Sequence, residues 1–267
     1  MDKKEIKING RTIAYNVYGN GEPVLFVHGF GEKGNVWRNQ IETFKNKFQL
    51  IVPDVPGSAD SELIDDMSIE GMAEPLKIIL DKEKINKCCV IGHSMGGYIL
   101  LAFAEKFPQY LNSFGLFHST AFADTEEKKA TRRKGIDFIN EHGAFEFLKN
   151  TTPNLFSPAS KTENPVLIDE QVETLNNFSR ESLVLYYEAM IHRPDRTHVL
   201  RNSTIPVLFI AGKYDNAVPI IDVLKQCHLP SLSYIHTLGN SGHMGMLEEP
   251  GKTTRILEDF FNTATIT

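Results

Sequence analysis

Four short apolar runs separated by helix-like segments limit what this chain can fold into. The runs are VLFV (24–27), LIV (50–52), CCVI (88–91) and LFI (208–210). Continuous apolar runs of this kind are typical of strands buried on both faces, as in a parallel sheet. Segments with helical periodicity lie at Val36–Lys45, Ser68–Leu80 and Met95–Lys106. This alternation predicts an α/β fold with a doubly wound, mostly parallel sheet.

Two segments depart from the alternation. Residues 4–18 alternate polar and apolar side chains around Asn9-Gly10, which predicts an antiparallel hairpin. Residues 119–201 are rich in helix formers, and we interpret them as a helical lid inserted into a core made of residues 1–118 and 202–267. Insertions of this kind tend to lie beside a functional site. The charged run at 124–135 is expected to be a solvated helix face.

Composition narrows the class of protein. The 267 residues carry a net charge of −6, and without a basic excess we expect no nucleic-acid partner. No apolar stretch approaches the roughly 20 residues of a membrane span, and MDKKEIKING lacks the apolar region of a signal peptide. Cys88 and Cys89 are adjacent on a predicted strand and should face opposite sides, as buried reduced thiols. We therefore predict a cytoplasmic protein that does not bind membranes.

Ser94 lies at the junction between the apolar run CCVI and a helix-like segment. Gly92 precedes it by two residues and Gly96 follows it by two. A strand that turns abruptly into a helix crowds its neighbouring backbones, and glycine makes such a turn sterically possible. The turn would raise the serine hydroxyl above the sheet edge, with the helix N-terminus behind it.

Five motifs in the chain occur in the order that one known family uses. GHSMGG (92–97) resembles the nucleophile elbow of the α/β-hydrolase superfamily, in its serine esterase-like branch. The other four resemble the family's strand and oxyanion loop, its glycine-containing turn, its acid loop and its histidine loop: VLFVHGFGE (24–32), DVPGSADS (54–61), LFIAGKYDNAVP (208–219) and GNSGHMGMLEEP (239–250). One departure is Ala59, where the family's turn usually has a second glycine.

The resemblance implies a catalytic triad of Ser94, Asp215 and His243. A serine hydroxyl needs a base, imidazole titrates near neutrality, and a carboxylate fixes the imidazole tautomer. The backbone N–H groups of Phe30 and Met95 would then form the oxyanion hole. A serine nucleophile argues against epoxide hydrolase and dehalogenase activity, since those relatives use aspartate.

Other polar residues near these motifs are alternatives to the triad members or structural neighbours of them. Asp124 is a rival acid, because it follows the predicted strand at 112–118. His28 and His93 flank the site and are expected to make structural hydrogen bonds, and Asp54 to organise its turn. No metal-ligand spacing is visible in the sequence, and acyl transfer to water needs no cofactor.

The substrate class is less constrained than the mechanism. Trp37, Phe122 and Tyr187 are candidate pocket residues, and an apolar pocket with few charges would favour a small or medium uncharged ester, lactone or thioester. Two alternatives stay open. One is a ligand sensor or partner-binding protein that hydrolyses slowly. The other is a carbon–carbon bond hydrolase or a cofactor-free perhydrolase, because the same triad permits both reactions.

Overall fold

One sheet organises the molecule. The computed structural model describes residues 1–264, and these contain an 8-stranded sheet. Its strands are β1 (Asp2–Ile8), β2 (Arg11–Tyr18), β3 (Glu22–Val27), β4 (Phe48–Pro53), β5 (Cys88–His93), β6 (Leu111–Phe117), β7 (Val207–Gly212) and β8 (Ser233–Leu238).

The strand order is β1-β2-β4-β3-β5-β6-β7-β8. The pairs β1–β2 and β2–β4 are antiparallel, and every pair from β4 to β8 is parallel. This confirms the predicted fold class, with an N-terminal antiparallel hairpin joined to a doubly wound sheet. Parallel strands bring their carboxyl ends to one edge of the sheet, so the loops after β3, β5, β6 and β7 meet there.

Helices cover the sheet and fill the segment between β6 and β7. They are α1 (Arg38–Phe44), α2 (Ile69–Lys82), α3 (Met95–Lys106), α4 (Glu126–His142), α5 (Ala144–Thr151), α6 (Pro158–Glu163), α7 (Pro165–Glu173), α8 (Arg180–His192), α9 (Thr197–Arg201), α10 (Ile220–Leu224), α11 (Gly245–Glu248) and α12 (Pro250–Ala264). None of the helices described is both long enough and apolar enough to cross a bilayer. The helix predicted at Val36–Lys45 is a 3-10 turn, Gly34–Trp37, followed by α1. Whether α4–α9 act as a lid stays a prediction.

The sheet separates two apolar cores. Leu25 and Cys88 belong to the core on one face, and Phe26 and Cys89 to the core on the other. Neighbouring residues of a strand therefore point to opposite sides, as the pleat requires. The three cysteines are buried and free, so the predicted orientation of Cys88 and Cys89 as reduced core residues is confirmed.

Candidate active site

Ser94 occupies a strained turn between β5 and α3. Its backbone angles are φ 52° and ψ −117°, in a region that residues with a side chain rarely adopt. A Cβ atom added to Gly92 would lie 2.5 Å from the carbonyl oxygen of Gly96, and one added to Gly96 would lie 2.4 Å from that of Val27. Both positions therefore require glycine. Strain of this type costs about 1–3 kcal/mol and is characteristic of functional sites.

Ser119 anchors this turn, and sequence reasoning missed it. The Ser119 hydroxyl donates a 2.8 Å hydrogen bond to the carbonyl oxygen of Ser94, and the Ser94 N–H donates one of 3.0 Å to the carbonyl of Phe117. A Cβ atom on Gly97 would lie 2.3 Å from the Ser119 hydroxyl oxygen, so the third glycine of GHSMGG makes room for the anchor. The end of β6 thus holds Ser94 from behind.

His243 and Asp215 form a buried hydrogen-bonded pair. His243 Nδ1 donates to Asp215 Oδ2 at 2.8 Å, while Asp215 Oδ1 accepts from the N–H groups of Ala217 and Val218 at 2.9 and 2.8 Å. Burial acts to raise the pKa of Asp215, but the attraction of His243 and the hydrogen bonds from His118 and His243 outweigh it and hold the pKa well below its usual range. Asp215 is therefore an anion at neutral pH.

Asp124, the rival acid, lies in a different environment. Its carboxylate pairs with the guanidinium groups of Arg132 and Arg193, at 2.5 Å and 2.9 Å. The fold therefore brings Asp215, and not Asp124, to His243.

His118 is a second histidine on the same carboxylate, and the sequence analysis assigned it no role. Its Nδ1 donates to Asp215 Oδ2 at 2.9 Å, and its Nε2 accepts from the Gly245 N–H at 3.3 Å. One nitrogen donates and the other accepts, so the ring is neutral. Burial lowers the pKa of His118 to about 4 even though Asp215 acts to raise it. His118 also has a positive φ of 49° directly after β6, an unusual conformation that could not be recognised from the sequence.

Ser94 and His243 line one cavity of about 540 Å³, together with Tyr98, Phe30 and Tyr187. Within residues 1–264, no hydrogen bond joins the Ser94 hydroxyl to His243 Nε2, and neither atom bonds to another protein group. Catalytic hydrogen bonds are often long in ligand-free proteins and tighten when substrate binds. The arrangement leaves Nε2 as a free acceptor at the cavity, because Nδ1 carries the proton.

Two backbone N–H groups fit the predicted oxyanion hole. Met95 is the first residue of α3, where helical N–H groups have no intrahelical partner, and Phe30 follows Gly29 in the loop after β3. In the described part of the chain, neither N–H donates to a protein acceptor. Their assignment as oxyanion donors stays a prediction.

A buried ion pair connects the loop after β3, the end of β5 and the loop after β8. Glu32 Oε2 accepts from the Gly29 N–H at 2.7 Å and from His93 Nδ1 at 2.9 Å, and His93 Nε2 donates to the His243 carbonyl at 2.9 Å. Both partners of His93 are acceptors, so its ring is doubly protonated. Burial opposes both charges, but their mutual attraction raises the pKa of His93 and lowers that of Glu32. His93 is structural, as the sequence predicts, and so is His28, whose Nε2 accepts from the Val55 N–H at 3.0 Å.

Of the three predicted pocket residues, only Tyr187 lines this cavity. Trp37 is fully buried in the core, with its ring 4.8 Å from Phe26 and 5.5 Å from Phe117, so the prediction for Trp37 is wrong. Phe122 also lies outside the lining, and its backbone is tied to Arg193 and Thr120. Proximity to a motif along the chain did not reveal on which side of the backbone these side chains lie.

The prediction of a pocket with few charges is also wrong. Lys128, Arg132, Glu127 and Asp222 all belong to the cavity lining. The charged run at 124–135 is therefore not simply a solvated helix face: Asp124 is buried, and the Arg132 side chain is 13% exposed. Helical periodicity shows which residues share a face, but not what that face packs against.

His118, Asp215 and His243 also have the spacing of a metal site, since one ligand atom from each lies within 4.8 Å of the others. The atoms concerned are already engaged with one another, because both Nδ1 atoms donate to Asp215 Oδ2. His118 Nε2 is occupied by the Gly245 N–H. The geometry is that of a hydrogen-bonded chain, and a metal would have to replace it.

The chain is similar in sequence to a family of known proteins. The model of the family described as the alpha/beta hydrolase fold matches residues 22–135. The chain is 23% identical over 254 residues to 3-oxoadipate enol-lactonase 1 of Acinetobacter baylyi, covering 94% of this chain and 93% of that protein. It is 26% identical to a 2-hydroxy-6-oxononadienedioate/2-hydroxy-6-oxononatrienedioate hydrolase of Pseudomonas sp, covering 97% and 95%.

A solved structure agrees over the full length. A thermophilic esterase from Thermogutta terrifontis superimposes with a TM-score of 0.92 at 26% identity, covering 99% of both chains. The family model accounts for β3 through the first part of α4, and the superposition extends the agreement to the loops that carry Asp215 and His243. On the strand order, the family match and this superposition, the chain has the α/β-hydrolase fold, and its predicted resemblance to that superfamily is confirmed.

Proposed function

We propose that the protein is a serine hydrolase that cleaves a small or medium carboxylic ester, lactone or thioester through Ser94, His243 and Asp215. One observation carries the proposal: His243, paired with buried Asp215 at 2.8 Å, lines the same cavity as Ser94 on its strained turn. Esterase and lactonase relatives support hydrolase activity on a small molecule. The cavity volume of about 540 Å³ suits a ligand of that size.

In the proposed acylation step, the Ser94 hydroxyl oxygen attacks the carbonyl carbon of the substrate. His243 Nε2 takes the hydroxyl proton, and Asp215 stabilises the imidazolium that forms. The N–H groups of Phe30 and Met95 receive the negative oxygen of the tetrahedral intermediate. When the intermediate collapses, the bond to the leaving group breaks and His243 returns the proton to that group.

In the proposed deacylation step, water takes the place of the leaving group. His243 Nε2 removes a proton from water, the hydroxide oxygen attacks the acyl carbon, and the Ser94–acyl bond breaks as the proton returns to Ser94. The net reaction consumes one water and releases an acid with an alcohol from an ester or a thiol from a thioester, or a single hydroxy acid from a lactone. His118 and the Glu32–His93 pair do not touch the substrate in this scheme and act as positioning residues.

Carbon–carbon bond hydrolysis is the second candidate. It is favoured by the similarity to the Pseudomonas hydrolase over 97% of this chain. The same serine, base and oxyanion donors would serve it, with a carbanion in place of an alkoxide as the leaving group. The ligand-sensor hypothesis and the cytoplasmic location stay predictions.

The proposal is tested with Ser94→Ala, using Ser231→Ala as the control because Ser231 is exposed and far along the chain. Wild-type protein should bind a fluorophosphonate probe covalently and hydrolyse 4-nitrophenyl acetate. Ser94→Ala should not be labelled, and its kcat should be at least about 10³-fold lower than that of the wild type. Ser231→Ala should keep the labelling and the wild-type kcat. Retained turnover in Ser94→Ala would remove this serine from the mechanism.

A further inference from the structure

Helix α4 brings two basic residues into the cavity that Ser94 and His243 line. Lys128 and Arg132 are four residues apart and so lie on the same side of the helix. Lys128 Nζ donates to the carbonyl oxygen of Ala217 at 2.8 Å, and Ala217 is two residues from Asp215 in the chain. The Arg132 guanidinium lies 5.5 Å from the centre of the Tyr187 ring, another wall of the cavity. Both cations are therefore held in place.

The acidic partner of Arg132 is shared, which leaves a net positive charge. Asp124 pairs with Arg132 and also with Arg193, so one carboxylate faces two guanidinium groups. Arg193 is engaged more fully: its two terminal nitrogens also donate to the carbonyl oxygens of Met190 and Phe122, and its guanidinium stacks 3.8 Å from the centre of the Tyr98 ring.

Arg132 is engaged less fully. Its Nε and Nη2 donate to Asp124, and within the described residues its Nη1 donates to no protein group. An unpaired end of a largely enclosed guanidinium, here on a side chain that is 13% exposed, is a strong binding position for an anionic oxygen. If Arg132 only stabilised the fold, its remaining N–H groups would be expected to donate to backbone carbonyl groups, as those of Arg193 do.

The carboxylates of the lining do not cancel this charge. Glu32 is paired with His93, and Asp222 lies 3.8 Å from Lys225. Glu127 is exposed, where water and salt screen its charge. Arg132 and Lys128 therefore keep an uncompensated positive charge at the cavity wall.

We infer that the cavity takes a substrate with a carboxylate group in addition to its scissile acyl bond, and that Arg132 Nη1, assisted by Lys128, binds that carboxylate. The inference rests on the proposed function and names its substrate class: a half-ester of a dicarboxylic acid, or a lactone or thioester that bears a carboxylate. Arg132 then determines specificity, and the bond-breaking chemistry remains with Ser94 and His243.

The test compares two substrates that differ only in charge. The 4-nitrophenyl half-ester of adipic acid and 4-nitrophenyl hexanoate have acyl chains of equal length, one ending in a carboxylate and the other in a methyl group. With the spontaneous rates subtracted, wild-type kcat/KM should be at least about tenfold higher for the half-ester, since one charge-assisted hydrogen bond contributes roughly that factor.

Variants assign the preference to Arg132. Arg132→Gln should reduce the half-ester to hexanoate ratio to about one, and Arg132→Lys, which keeps the charge without the planar fork, should retain part of it. Arg133→Gln is the matched control, because Arg133 is exposed at the next position of α4, and it should keep the wild-type ratio. A ratio measured on one preparation does not depend on how much of a variant is folded.

The outcomes separate this inference from the proposed function. Hydrolysis of hexanoate by fluorophosphonate-reactive enzyme without a preference for the half-ester would overturn the inference and leave the proposed function standing. Equal ratios in Arg132→Gln and Arg133→Gln would also overturn it. If neither ester is hydrolysed and Ser94 is not labelled, the proposed function and this inference fail together.

Discussion

At the residue scale, Asp215 is the best-supported group in the site. Its carboxylate accepts four hydrogen bonds, two on each oxygen, from Ala217, Val218, His118 and His243. Four donors stabilise the anion and leave it one orientation. The carboxylate can then hold the His243 ring with its protonated nitrogen inward and its free nitrogen at the cavity.

Replacing Asp215 with Asn should reduce kcat by a factor on the order of 10⁴. The amide accepts on one oxygen only, so its NH₂ group must face either the two backbone N–H groups or the two histidines. In the second case His243 is forced into the wrong tautomer. Steady-state kinetics against Asp137→Asn, an exposed site on α4, provides the comparison. A near-normal rate in Asp215→Asn would assign the acid role elsewhere.

At the element scale, the junction between β5 and α3 depends on how closely α3 approaches the loop after β3. Gly96 lies in the first turn of α3, and a Cβ atom added to it would lie 2.4 Å from the carbonyl oxygen of Val27 and 2.6 Å from that of His28. Those carbonyls belong to the end of β3 and the start of the loop that carries Phe30. The absence of a side chain at Gly96 therefore lets the turn at Ser94 pack closely against the loop that carries Phe30.

Gly96→Ala should destabilise the fold by about 3 kcal/mol or more, because the added methyl group would overlap rigid backbone atoms. Gly251→Ala is the matched control: it also lies in the first turn of a helix, and an added Cβ there meets nothing within 4 Å. That substitution should be neutral, or stabilising by about 0.5–1 kcal/mol through helix propensity. Urea denaturation distinguishes the two, and similar midpoints would contradict the steric argument.

At the scale of the whole molecule, the pH dependence of the unfolding free energy depends on buried histidines, some of which are neutral and one of which is charged. His28 and His118 are buried as neutral rings, and burial is the main cause of the lowered pKa of both. His93 is buried as a cation against Glu32, and its pKa is raised. His28 and His118 stabilise the folded protein more at higher pH, and His93 stabilises it more at lower pH. The sum of these contributions determines how the unfolding free energy varies with pH.

His118→Gln should flatten the acid side of this curve. The pKa of His118 falls from 6.5 to about 4 on folding, so the unfolded chain binds the proton first as pH falls. Stability from this group is complete above pH 6.5 and is lost as pH falls toward its folded pKa. Between about pH 7 and about pH 4.5, wild type should lose about 2 kcal/mol more unfolding free energy than His118→Gln.

The measurement is urea denaturation at both pH values, with His228→Gln as the control at an exposed histidine. The control should lose as much stability as wild type over this interval. An equally large loss in His118→Gln would show that this ring does not titrate as its burial implies.

Many strands, helices and turns of this protein could be predicted because they depend on local sequence patterns. Apolar runs predicted strands, helical periodicity predicted helices, and the glycines around Ser94 predicted the tight turn. The errors arose where orientation mattered. Trp37 and Phe122 were assigned to a pocket that they do not line, and Lys128 and Arg132 were assigned to solvent although they line it.

The amino-acid sequence by itself determined the strand and helix types and the two-sided burial of the sheet, because these follow from short-range periodicity. It also identified the residues proposed for catalysis, through the resemblance of its motifs to those of the α/β-hydrolase superfamily. Only the tertiary structure decided that His118 shares Asp215 with His243, across 97 positions of the chain, and that one face of α4 brings positive charge into the cavity. Such contacts depend on how distant elements pack, and no local pattern encodes that.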